Sequence, residues 1–134
     1  MKEGMTIGRL AKEAGVNVET IRYYQRRGIL AEPHKPAGGH RRYPFAALER
    51  IGFIRRAQRL GFSLAEVESL IKYADGRSWR ETRAIAEHKY ATLSTHVEQL
   101  NAMRRALKGL IAKSLAGRGR GRCPIIGALL IRAE

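Results

Sequence analysis

The sequence has a single cysteine, Cys123, among 134 residues. One thiol excludes an intramolecular disulfide framework and any CxxC zinc site. Acidic side chains are scarce as well: 12 Asp and Glu stand against 26 Lys and Arg, a formal charge of +14. Long apolar runs are missing. The longest nearly unbroken one, Cys123 to Ile131, is too short to cross a bilayer. Met1-Lys2-Glu3-Gly4-Met5-Thr6 has no apolar stretch behind its charge, so no secretory signal is expected. What is present is an ordinary 44% of hydrophobic residues, which describes a folded basic chain rather than a disordered one. The expectation is a soluble, cytoplasmic protein with a polyanionic partner and no membrane association.

The charge is not confined to a tail. Residues 1–75 carry 14 basic and 8 acidic side chains, and residues 76–134 carry 12 and 4. Basic residues spread along folded segments suit a nucleic-acid surface better than a disordered arm does. Thr6 is placed to cap a short amphipathic helix from Ile7 to about Ala14, with Ile7, Leu10 and Ala11 on one face. Gly15 suits the left-handed position at its end, and Asn17 caps a second helix from Val18 to about Arg27, stopped by Gly28. Two short helices joined by a tight glycine-containing turn form the helix-turn-helix pattern.

Pro33, Pro36, Gly38 and Gly39, followed by Arg41-Arg42-Tyr43, read as a wing: two short strands around a Gly-Gly turn. Pro44 suits the first position of a helix running to about Leu60, with Phe45, Leu48, Ile51 and Ile54 on its apolar face. Ser63-Leu64-Ala65-Glu66 is a capping box that opens another helix, and Ser78-Trp79-Arg80-Glu81 is a second. The helix behind that second box is long. Read from 78 to 115 it spans roughly 55 Å at about 1.5 Å per residue. Leu93, Val97, Leu100, Met103, Leu107 and Leu110 repeat along it at heptad spacing, a seam that needs a second copy. A Gly-Arg loop, 116–122, and a last apolar turn of helix, Ile125 to Ile131, close the chain. The fold class is therefore mainly α: a winged helix-turn-helix domain (1–75), a dimerisation helix (76–115), and a loop with a short C-terminal helix (116–134).

Several segments carry a family likeness. They are Thr6-Ile7-Gly8-Arg9-Leu10-Ala11, the run from Gly15 through Asn17-Val18-Glu19-Thr20-Ile21-Arg22-Tyr23 to Tyr24, Gly39-His40-Arg41-Arg42-Tyr43, and Gln58-Arg59-Leu60-Gly61-Phe62-Ser63-Leu64. Together these resemble the mercury-resistance regulator (MerR) family of bacterial transcription factors. Ala86-Glu87-His88-Lys89 and Cys123-Pro124-Ile125-Ile126 look like its mercury-sensing branch. The resemblance implies a homodimer with an antiparallel coiled coil that distorts promoter DNA for RNA polymerase when an effector binds. Asn17, Val18, Glu19 and Thr20 then face base edges and nearby backbone in the major groove. Thr6, Arg22, Tyr23, Arg26, His40, Arg41, Arg42, Tyr43 and Arg59 join them in the DNA-contact set, mostly at phosphates. Tyr24 is read as half core, and Arg55 and Arg56 as solvated helix face.

The same resemblance assigns mercury to three cysteines. Here Trp79 and Ser114 occupy two of those positions, and only Cys123 remains. A soft ion such as Hg(II) selects thiolates, so the trigonal site cannot be built from this chain. No cofactor is assigned. His88 and His96, eight apart, lack the i, i+4 spacing of helical metal pairs. Neither HExxH, GxxxxGK[ST] nor a carboxylate pair supports an enzyme. Arg120 and Arg122 precede Cys123, and positive neighbours favour a reactive thiolate; the weightier reading is an inert small residue packed under the loop, since neighbours in sequence need not be neighbours in space. Two alternatives to a metal-responsive regulator stay open: an effector-independent architectural DNA-bending protein, and a single-cysteine thiol-reactive sensor.

Overall fold

A computed structural model describes residues 4–131. Met1–Glu3, part of the stretch read for a secretory signal, and residues 132–134 lie outside the described residues. Six helices follow in order: α1 (Ile7–Ala14), α2 (Val18–Arg26), α3 (Phe45–Arg59), α4 (Leu64–Ile71), α5 (Trp79–Gly117) and α6 (Pro124–Leu130).

The ends of the early helices follow from local chemistry. The Thr6 hydroxyl accepts the Arg9 N–H at 3.2 Å, and Asn17 Oδ1 accepts the Thr20 N–H at 2.8 Å. Gly15 stops α1 in the left-handed region, at φ 71°, where a Cβ would be strained. Ser63 and Glu66 complete both arms of the capping box that starts α4. Behind these caps a single core forms from Leu10, Ala11, Ile21, Tyr24, Ile29, Leu30, Tyr43, Ala47, Ile51, Ile54, Ala57 and Val67. It joins α1 to α2 and α3, and α3 to α4.

Three expectations are corrected here. The wing has no strands among the described residues; its one ladder element is an isolated antiparallel bridge between Met5 and Tyr43. Pro33 and Pro36 cannot donate to a ladder. Their carbonyls are already taken, Pro33's by the Arg41 guanidinium at 3.1 Å and Pro36's by the Gly39 N–H at 3.2 Å. Gly4 sits against that bridge so closely that a Cβ there would lie 2.8 Å from Arg42 Cβ. Second, Pro44 is the N-cap of α3 rather than its first residue, and the buried stripe is Ala47, Ile51, Ile54 and Ala57. Phe45, two residues and so about 200° of helical rotation before Ala47, is 60% exposed. Third, Tyr24 is fully rather than half core.

The chain packs as two units, Met1–Lys89 and Tyr90–Glu134, and the boundary falls inside α5. Residues 79–89, the root of α5, therefore belong with the first unit. Along its 39 residues α5 buries no side chain against its own chain. Leu93, Val97, Leu100, Met103 and Leu107 stand exposed, with Ile111 and Leu115 continuing the apolar surface and Leu110 half-buried. Among the described residues no helix is long and apolar enough to cross a membrane.

Candidate nucleic-acid interface

Helix α2 divides its residues by period. Ile21 and Tyr24 enter the core, so Glu19, Arg22, Tyr23 and Arg26 are turned outward. Beside this face runs an open groove of about 600 Å³, floored by α2 and walled by the start of α1 and the wing. Thr6, Arg22, Arg26, His40, Arg41 and Tyr43, six of the residues picked from the sequence, line it. Lys35, Gln25 and Glu32, not picked from the sequence, line it too. The Glu32 carboxylate is held by Arg41 at 2.8 Å and Arg22 pairs with Glu19, which leaves Arg26 and Lys35 to give the groove its positive sign. Such a rim fits a phosphate backbone.

Several side chains are already engaged. Arg22 donates to Glu19 at 2.7 Å, so the Glu19 carboxylate is paired in the free protein. Asn17 Oδ1 also accepts the Thr20 hydroxyl at 2.8 Å, which commits both residues to capping as well as to any base contact. Tyr23 is held from behind: Arg27 donates to its hydroxyl at 3.1 Å and to Glu68 of α4 at 2.6 Å. The Arg26 and Arg27 guanidinium groups lie 5.8 and 5.9 Å from the Tyr23 ring centre. Arg27 was not legible as a site residue, since its partner Glu68 lies 41 positions away.

Tyr43 departs from its expected role. Its ring is only 1% exposed and its hydroxyl donates to Gln25. Burial, and then the Glu32 charge, push the phenol above its ordinary pKa. It holds Gln25, which lines the groove beside it. Arg42 turns to the other side of the bridge, where it donates to the Gly4 carbonyl at 3.4 Å. Arg59 ends α3, exposed and outside the groove, and Val18 is half-buried beside the core.

In the second unit Cys123 is exposed and caps α6, with Ser114 Oγ 3.9 Å from its Sγ. Its thiol lies below the ordinary pKa, held there by the Ile126 and Ile125 N–H groups and then by Ser114. The neighbouring arginines are not the cause, and the exposed thiol is not packed under the loop. The donor set does not fit a three-thiolate ion: the chain offers one thiol and a dimer two. Among the described residues no three His, Cys, Asp or Glu side chains converge.

A helix-turn-helix with a cationic groove, followed by a long arm with an unburied apolar stripe, defines a DNA-binding transcriptional regulator rather than an enzyme. The chain belongs to the MerR family. The description "MerR HTH family regulatory protein" matches residues 5–74, and "MerR, DNA binding" matches residues 48–110. It is 46% identical over 127 residues to the mercuric resistance operon regulatory protein of Pseudomonas fluorescens, covering 95% of this chain and 88% of that one. Among solved structures it resembles the regulator PbrR691 of Ralstonia metallidurans CH34 in complex with lead(II), with 31% identity and a TM-score of 0.80. That match covers 93% of this chain and 98% of the other. It also resembles MerR of Bacillus megaterium MB1 in complex with mercury(II), with 32% identity and a TM-score of 0.73, covering 95% and 100%.

Proposed function

We propose that this regulator works in the cytoplasm as a homodimer whose two heads grip promoter half-sites and distort the DNA for RNA polymerase. The apolar stripe of α5 carries this reading. Leu107, the fifth of the six seam residues, is 56% exposed in the single chain. A stripe from Leu93 to Leu110 at heptad spacing is the surface a second copy covers. Two heads on one arm then address two half-sites, and bending stores the deformation energy that an effector releases.

The effector differs from that of a three-thiolate mercury sensor. Mercury meets a single thiolate here, a weak site that a competing small thiol strips. Replacing Trp79 and Ser114 by cysteine supplies the two missing sulfurs and restores tight binding at about one metal per site. Run-off transcription from the promoter, titrated with mercury, lead and zinc salts and with thiol-alkylating reagents, tests the reading. Transcription driven by mercury under excess thiol in the unmodified protein would sink it. The exposed, acid-shifted thiol of Cys123 favours a second reading, a thiol-reactive sensor. In that case only the alkylating reagents change transcription, and Cys123→Ser abolishes the response. No response to any compound would favour an effector-independent bending protein.

A further inference from the structure

Glu66–Lys89 joins α4 to α5 and is less exposed than the ion pairs Arg9–Glu13, Arg22–Glu19, Arg27–Glu68 and Arg41–Glu32, at 28% and 14% for its two side chains. One oxygen does two jobs. Glu66 Oε1 accepts the Ser63 N–H at 2.8 Å, closing the α4 capping box, and takes the Lys89 ammonium at 2.8 Å. The ammonium also lies 5.8 Å from the centre of the Phe62 ring, which forms the other wall of its niche. Next to this contact the two helices leave an open cavity of about 320 Å³, bordered by Glu66, Ser69, Ala84, Ile85 and His88. Close apolar packing therefore does not set the approach of α5 to α4 at this point. A charge-assisted contact does, with the Lys89 ammonium placed between the Glu66 carboxylate and the Phe62 ring.

We propose that Lys89 is a positioning residue: through Glu66 and Phe62 it fixes the direction in which α5 leaves the head, and with it the half-site spacing the regulator accepts. The proposal rests on the dimeric reading above. One base pair displaces a half-site by about 3.4 Å and turns it by about 34°. A stiff joint at the root of α5 rejects such a change, and a loose joint absorbs it.

The test measures full-length protein on operators footprinted in its own promoter and rebuilt with the half-sites one base pair closer or farther apart. The wild type should prefer the natural spacing by about tenfold or more, the size of one poorly met base pair. Lys89→Met keeps an apolar stem against Phe62 and removes the charge. It should bind the natural operator within about threefold of wild type, and its preference among the three spacings should shrink to about threefold or less. Glu66→Gln keeps an oxygen for Ser63 and should broaden spacing in the same way. Lys89→Arg should restore discrimination. A Lys89→Met or Glu66→Gln protein with the wild-type spacing profile overturns the role of Lys89. Sedimentation of the same samples separates the two claims. A monomeric wild type removes the dimeric reading and the proposal together, and a dimer with an unchanged profile removes only the proposal.

Discussion

Between Leu10 and Val67 twelve apolar side chains are buried by their own chain; between Tyr90 and Ile131 there is not one. The contrast lies in how each stretch disposes of its apolar residues, since both have them. In the head, turns and caps fold helices of 8 to 15 residues back on each other, and each supplies two to four side chains to a shared interior, except α4, which supplies Val67 alone. In the arm, one helix runs 39 residues without a break, so nothing returns to cover it. Head stability is thus an intramolecular property. Arm stability is left to mass action.

The comparison breaks most completely at Leu107. Leu107→Asp places an unpaired charge in the seam. It should convert dimer to monomer in sedimentation and collapse operator affinity, while the head keeps its fold. A stable dimer of this variant would mean the seam is misassigned. Ile51→Ala attacks the other unit. It empties a fully buried site and should cost about 2–5 kcal/mol in urea unfolding. The loss should appear at every protein concentration, whereas the Leu107→Asp loss should be a loss of concentration dependence.

The groove gives a subtler effect. Arg22→Ala and Arg26→Ala, which both line it, should each weaken binding to all sequences and lower the salt slope by about one. Since Arg22 holds Glu19, Glu19→Ala should change sequence preference more than affinity, and it frees Arg22 to reach a phosphate. Unchanged slopes in both arginine variants would remove this docking. The smallest effect sits where the root of α5 meets α4, inside the first unit. Lys89, and then the Ser63 N–H, hold the Glu66 carboxyl at about 2 against an ordinary 4.5. Its stabilisation is present above pH 4.5 and is lost as pH falls toward 2. Glu66→Gln should therefore cost about 1–2 kcal/mol near neutral pH. The gap to wild type should close on acidification below pH 4.5. A gap that stays constant with pH would show that the charge contributes nothing.

What was legible in the sequence was mostly local. Thr6, Asn17 and the Ser63–Glu66 box act within three or four residues, and each cap lies where the spacing predicts. The unburied apolar stripe of α5 was legible because heptad spacing repeats along one helix. Side chains whose fate depends on distant segments were not. Tyr43 looked like one more aromatic in a basic wing, yet its position is set by Met5 and by Gln25. Phe45 looked apolar and so interior, but Pro44 sits one position earlier in the helix than its usual place and turns Phe45 outward. The wing's alternation suggested strands. Prolines and an arginine that caps a carbonyl satisfied the backbone instead.

One arrangement has a use for watching the protein move. The chain has one tryptophan and one cysteine, and they fall in different units: Trp79, 73% exposed at the first residue of α5, and Cys123, exposed at the start of α6. Each unit thus carries its own natural optical address, with no substitution required. A maleimide acceptor on Cys123 receives energy from the Trp79 indole with an efficiency that depends on their separation. In the dimer each acceptor receives energy from the indole of either protomer, so adding operator DNA to the labelled protein reports, in real time, whether these tryptophan–cysteine separations change when the promoter is engaged.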